Sequence, residues 1–463
     1  MCMSLRVGLS VREGLGITGA AALGAAAFPP VGLWPLSLAS LCLFLFLLRN
    51  QTTAQARQLG LLYGALYGLG TMYWMFGIFG PLAISFVAIM AGYFGVLATL
   101  VGMTRRHSPL VRSALIALFA VAIEWLRGDA WYLRFPWYTP PHALAAAPAW
   151  IASARWLGVY GLSYIVWLIA GAGALGAARW WLAFLLLPVG AWFLPPAGPA
   201  DQTALLIQAE DQGIHEGFIA NVRSEKVDLT VLPEYAFPIS LEKALASARG
   251  PAVLARKLGC PVIFGTVEGE YGKPNFQNVA AVIDLQGSLL GTFPKQRPVP
   301  LMVDGRAGER RPVFVVDGGT LGIGLCYDFD APEIAGSLVR SGATVLVAPT
   351  GDLMDWGRIQ HHHHELLVRL RAVENDRWIL RATSSGRSEA IDPHGVPSSE
   401  HLEIGAKGTF KVKYGHRNSV TLGSYASVLG PLAACLTALF LLHGGVQAFR
   451  SRRLERTAST KIS

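Results

Sequence analysis

Glu234, Lys295 and Cys326 lie far apart in the chain, yet their side chains together could carry out acyl transfer. A thiolate attacks a carbonyl, a carboxylate takes and returns the proton, and an ammonium stabilises the developing oxyanion while lowering the thiol pKa. Each residue also has a plainer reading. A buried cysteine more often packs inertly, and a Glu or Lys at a strand end is more often a solvated rim residue. The choice rests on the elements that hold them.

Those elements alternate. ALLIQA (204–209), LTVLPEY (229–235), PVIFGTV (261–267), VAAVID (279–284), TLGIGLCYD (320–328), ATVLVAPT (343–350) and WILRATSS (378–385) are apolar, β-branched-rich runs that read as strands. LEKALASARGPAVLARKLG (241–259) and HHHHELLVRLRAVEND (361–376) read as helices. Strands alternating with helices indicate a layered α/β domain. Glu234 closes LTVLPEY, Lys295 follows the strand-turn LLGTFPK, and Cys326 closes TLGIGLC. All three therefore fall at C-terminal strand ends, the edge where α/β sheets assemble ligand sites.

The rest of the chain is greasy. Of 463 residues, 52% are apolar and only 15% charged, against roughly 25% charged in soluble domains. Spanning a bilayer takes about 20 apolar residues. Segments near 14–29, 32–49, 58–79, 81–103, 109–127, 154–175, 178–195 and 420–444 read as spans, giving about eight helices. The expected organisation is a membrane domain of seven helices over 1–199, an α/β domain over 200–419, and a last membrane helix with a basic tail over 420–463. Arg6 and Arg12 precede the first span, Arg49 and Arg57 lie between the second and third, and Arg105, Arg106 and Arg112 follow the fourth. Every second loop is positive, which places those loops inside and, after an odd number of spans, residues 200–419 outside the cytoplasm. The net charge of +9 comes largely from such flanking bases and does not point to nucleic acid. Five scattered cysteines without a CxxC form no disulfide framework. The Trp- and Pro-rich WYLRFPWYTPP reads as interfacial. Glu124, near the end of ALFAVAIEWLRG, is expected at the outer interface, paired with Arg127 on the same helix face.

VLPEYAFP, PKQRPVP and GLCYD, in that order, resemble the Glu–Lys–Cys signature of the nitrilase (carbon–nitrogen hydrolase) superfamily. EWLRG (124–128), FPW (135–137), GVYGLS (158–163) and RAVENDRWILRATSSGRSEAIDPHG (371–395) resemble its membrane branch, the apolipoprotein N-acyltransferases. The resemblance implies an α-β-β-α sandwich outside the cytoplasm of a bacterial inner membrane, working without a cofactor or metal. Cys326 would take an acyl chain from a phospholipid as a thioester and pass it to the α-amino group of a lipoprotein's diacylglyceryl-cysteine. Glu234 would be general base and acid, Lys295 the oxyanion partner, and Tyr327 and Asp328 would meet the substrate.

The chain also departs from the family pattern. Where the family has P-F-G-E after the lysine, the Glu position holds Val303, with Asp304 one residue later; behind the nucleophile the usual Glu is Asp328. A membrane-bound amidase or acyltransferase acting on another amine, and a silent binding module, remain alternatives. HHHH (361–364) resembles a metal tract, but consecutive helical residues point around the axis rather than at one ion. Gln360 and His361 match the family's Gln-His, which makes the extra histidines ornaments of the helix start. Glu268, Glu333 and Asp352 are candidates for orienting Lys295, and Cys260 reads as packing.

Overall fold

The computed structural model describes residues 9–176, 178–222, 226–316 and 318–459. The N-terminal half is helical: α1 (Val11–Ala26), α2 (Leu36–Leu48), α3 (Thr53–Met72), α4 (Met75–Phe79), α5 (Ala83–Met103), α6 (Pro109–Trp125), α7 (Pro140–Leu144) and α8 (Ala154–Leu175). Four described stretches are long and apolar enough to cross a membrane: Met75–Met103, Pro109–Ala130, Ala154–Leu175 and Gly423–Gln447. Leu36–Leu48 and Arg179–Phe193 are apolar but shorter. The second of these winds as 3-10 turns around Pro188, which has no N–H to give an α-helical bond. Small residues let α3 and α5 touch: a Cβ on Gly64 would come within 2.7 Å of the Met90 carbonyl and Ala91 Cα. Close backbone approach of this kind is how helices associate in lipid.

Two six-stranded sheets follow. The first runs β12-β1-β2-β3-β4-β5 and the second β11-β10-β9-β8-β7-β6. Their ranges are β1 (Gln202–Gln208), β2 (Leu229–Val231), β3 (Val262–Glu268), β4 (Gln277–Ile283), β5 (Leu289–Pro294), β6 (Val313–Val316), β7 (Gly319–Ile323), β8 (Val345–Thr350), β9 (Ile379–Thr383), β10 (Ser388–Ile391), β11 (Pro397–Leu402) and β12 (Gly408–Tyr414). In each sheet three central strands are parallel and the outer ones antiparallel. Leu206, Val231, Ile263 and Val282 of the first sheet share a core with Ile323, Val347 and Leu380 of the second. The outer face of the first sheet packs on α9 (Gln212–Asn221), α10 (Leu241–Ala246) and α11 (Pro251–Leu258). The second sheet carries α12 (Pro332–Arg340) and α13 (Arg358–Asn375), and α14 (Leu429–Ser459) closes the chain. This is an α-β-β-α sandwich.

Each strand expected from the sequence is present. The single helix expected over 241–259 is instead two, because Pro251 opens α11 at its first turn and pushes the preceding residue out of the helical region. Helix α13 is buried on both sides. Val368 and Ala372 face the sheets, while Leu366, Leu367, Leu370 and Val373 belong to the core of the membrane helices. At its end Asp376 pairs with Arg155 at 2.6 Å and Arg417 at 2.7 Å. Gly158, at φ +62°, kinks α8 so that the Val159 N–H reaches Glu374 Oε1 at 2.5 Å. The RAVEND run is thus a docking seam between the two halves.

Two expectations about the membrane half change. Glu124 bonds to Ser163 (2.6 Å) and Trp167 (3.0 Å) on α8, and no ion pair joins it to Arg127. The carboxylate points across to the neighbouring helix rather than along its own. Of the Trp- and Pro-rich connection, Trp131 and Tyr132 are exposed, but Trp137 and Tyr138 are buried beneath the α/β domain. Only the first part has the exposure an interfacial segment needs.

Candidate active site

Glu234 stands three residues past the end of β2, Lys295 directly after β5, and Cys326 three residues past β7. The two sheets bring these ends together: all three side chains line one cavity of about 410 Å³, with Glu210, Tyr235, Tyr271 and Asp304. Cys326 opens a 3-10 turn (Cys326–Asp330) at φ +48°, and Tyr235 sits at φ +53°. Left-handed backbone at non-glycine residues is uncommon and collects at functional sites.

The lysine is held by two carboxylates. Its Nζ lies 2.7 Å from Glu234 Oε1 and 2.6 Å from Asp304 Oδ2. The Asn278 amide repeats the bridge, donating to Glu234 Oε1 at 2.7 Å and Asp304 Oδ1 at 2.8 Å. Tyr235 and the Val299 N–H also donate to Asp304. Leu301, at φ +67°, turns the loop so that Asp304 faces inward while Val303 is 64% exposed. The one-residue displacement noted in the sequence is thereby absorbed by the backbone. Glu268, Glu333 and Asp352, the sequence's candidates for orienting the lysine, bond elsewhere, to Thr292, Arg340 and His364. Asp304 and Asn278 take that position. Asp304 was visible as a displaced carboxylate, whereas Asn278, the second residue of β4, carried no signal.

Both donors on Glu234 use Oε1, leaving Oε2 beside Gly351, where a Cβ would approach it to 2.5 Å. Burial, reinforced by the Asp304 carboxylate, raises the Glu234 pKa against the pull of Lys295. Burial works against the ammonium too, but Asp304 and Glu234 outweigh it and keep Lys295 protonated. Two carboxylates thus share one cation. Burial and Glu234 hold the Cys326 thiol protonated at rest, while Lys295 and the Gly351 N–H favour its thiolate.

Cys326 also lines a second, smaller chamber of about 90 Å³ on the membrane side, walled by Trp74, Phe79, Phe86, Phe135, Trp137 and Tyr327. Tyr327 is a wall here, its hydroxyl donating to the Arg134 carbonyl at 2.8 Å. Asp328 differs from expectation. It is fully buried, lines neither chamber, and accepts N–H bonds from Gln296 (3.0 Å), Arg297 (2.7 Å) and Leu325 (3.0 Å). Its shorter side chain braces the lysine loop against the Cys326 turn. Burial pushes its pKa up to about 7. On that same loop Arg297 pairs with Asp129 and donates to the Gly128 carbonyl at 3.0 Å, which ties the EWLRG segment to the site.

The four histidines reach four separate partners: the Leu353 carbonyl, Glu365, the Pro29 carbonyl, and, for His364, Asp352 with Asp330. His364, not His361, is the member beside Cys326. Cys326, Asp352 and His364 have functional atoms within 4.8 Å of one another. Asp352 is already engaged by His364, Gln360 and Arg381, so the group reads as an acid–base network.

A carbon–nitrogen hydrolase profile matches residues 205–405, and a profile for the apolipoprotein N-acyltransferase N-terminal domain matches residues 20–172. The globular half is of the carbon–nitrogen hydrolase class. With the membrane half in front of it, the chain belongs to the apolipoprotein N-acyltransferase family. Among its relatives, the apolipoprotein N-acyltransferase of Pseudomonas syringae pv. tomato is 28% identical, covering 80% of this chain and 84% of the relative. That of Nitrosomonas europaea is 27% identical over 92% of this chain and 95% of its own. Among solved structures, a mutant of the Nesterenkonia AN1 amidase from the nitrilase superfamily is 20% identical, covering 48% of this chain and 92% of that one at a TM-score of 0.38.

Proposed function

We propose that the protein N-acylates lipoproteins, with Cys326 as nucleophile, Glu234 as general base and acid, and Lys295 as oxyanion partner. The observation that carries this reading is the position of Cys326, which lines both the chamber holding Glu234 and Lys295 and the aromatic chamber on the membrane side. In the first half-reaction Glu234 Oε2 takes the thiol proton, the sulfur attacks a phospholipid ester carbonyl, and Lys295 stabilises the oxyanion. The C–O bond breaks, the lysophospholipid oxygen takes the proton from Glu234, and a thioester remains. In the second, the α-amino group of a diacylglyceryl-cysteine attacks the thioester and gives its proton to Glu234. The C–S bond breaks and the thiol is restored. Tyr327, as a wall of the aromatic chamber, would contact the acyl chain.

Both substrates are anchored in lipid, so the site must be held at a membrane surface. The alternation of basic loops supports a multi-pass protein of a bacterial inner membrane, with seven helices before the α/β domain, one after it, and the domain on the outer side. The test is transfer: detergent-purified protein, phospholipid with a labelled acyl chain, and a synthetic diacylglyceryl-cysteine peptide. The label should appear as an amide on the peptide N-terminus, and Cys326→Ser should abolish it. Discharge only to water or small amines would establish an amidase-like enzyme instead, and no acyl adduct would leave a binding module.

A further inference from the structure

Nothing in that scheme uses His364, although it lines the aromatic chamber beside Cys326 and is only 2% exposed. Its Nδ1 lies 2.8 Å from Asp352 Oδ1 and its Nε2 lies 3.4 Å from Asp330 Oδ1. That Nε2 and Asp330 Oδ1 are both buried without a hydrogen-bond partner. The two aspartates belong to the segments that carry the nucleophile. Asp330 ends the Cys326 turn, and Asp352 follows Gly351, whose N–H favours the Cys326 thiolate. From the membrane half, the Trp137 indole donates to Asp330 Oδ2 at 2.6 Å, and its ring stacks on His364 with centroids 6.0 Å apart.

We propose that His364 is a positioning residue for the nucleophile, tying the Cys326 turn to the Gly351–Asp352 segment from the membrane side and setting the pH range over which the thiol reacts. It rests on the reading of Cys326 as the nucleophile. The charged and titratable groups facing His364 are Asp352, Asp330, Arg381 from β9, His361 and Arg371 from its own helix, and His142 from α7. Burial disfavours the imidazolium, but Asp352 and Asp330 outweigh it and raise the His364 pKa, with Arg381 opposing. Asp352 in turn raises the pKa of the Cys326 thiol. A protonated His364 cancels that charge. Above its folded pKa the imidazole is neutral, and only Arg381 then offsets Asp352. In this proposal His364 is still protonated where the thiol titrates, so that removing it moves thiolate formation to higher pH.

The test is the rate of iodoacetamide alkylation of Cys326 across pH, read on its own peptide by mass spectrometry in the full-length protein. His364→Gln should shift the midpoint upward by about one unit, roughly tenfold slower reaction below both midpoints. Asp330→Asn, isosteric and still able to accept from Trp137, should shift it the same way by less. A residue that only fills space would lower the rate equally at every pH and leave the midpoint alone. Unshifted midpoints in both folded variants overturn the proposal; if His364→Gln fails to fold, an unshifted Asp330→Asn profile does so by itself. Failure of the wild type to form a thioester with phospholipid would instead strike the proposed function, since alkylation needs no lipid.

Discussion

Lys295 faces two carboxylates, and that number shapes the acid–base behaviour of the site. With Asp304 present, the ammonium is shared and Glu234 is a weaker acid than it would be alone with Lys295. Asp304→Asn removes the competing charge while keeping the side chain's shape. In the proposed mechanism Glu234 must be ionised to take the thiol proton, so activity should fall as pH drops through its raised pKa. The variant should move this acid limb to lower pH, as measured by initial acyl-transfer rates; a limb that stays in place or rises would show that Asp304 does not govern Glu234. Gly351→Ala would drive a methyl against Glu234 Oε2 and should slow thioester formation about a hundredfold, with little change in the thermal unfolding midpoint. Glu234, Lys295 and Cys326 were legible in the sequence because each is a polar residue ending an apolar run. Asn278 was not, since an amide just ahead of VAAVID looks like any polar residue at a strand start. His364 was hidden by its neighbours: which of four histidines meets Cys326 depends on how α13 is rotated by packing.

At the scale of elements, α13 and the FPW segment hold the two halves together. The sequence showed α13 as a helix without showing which neighbours cover its charged residues. In the structure Arg371, Glu374, Asn375 and Asp376 are each no more than 1% exposed, because the membrane helices cover the side that a soluble domain would leave wet. No local pattern reveals a face that is buried by another domain. Trp137 inserts at this junction, bonding Asp330, stacking on His363 and His364, and packing at a tilt against Trp74. Trp137→Ala should lower stability by about 3–5 kcal/mol and also slow thioester formation, because the Cys326 turn loses its tie to the membrane half. Thermal unfolding in detergent beside a single-turnover assay would check both. Loss of stability with unchanged turnover would confine Trp137 to packing.

For the whole molecule, the shared cores mean that the α/β domain is not an independent unit carried by an anchor. Leu366, Leu367, Leu370 and Val373 complete the core of the membrane helices, and excision would expose them as one apolar face. A fragment spanning residues 200–419 should aggregate or require detergent, as size-exclusion chromatography would show; a monodisperse, folded fragment in plain buffer would contradict this. The same joint faces Cys326 toward the membrane side, where its aromatic chamber meets the ends of the helices. The central claim is that this sulfur receives an acyl chain from lipid. Mass spectrometry of the Cys326 peptide after incubation with phospholipid tests it most directly. The account predicts a gain of one acyl chain, labile to hydroxylamine, absent in Cys326→Ser and strongly slowed in Glu234→Ala. An unmodified peptide with every phospholipid tried, or an acyl chain carried on another residue, would contradict it.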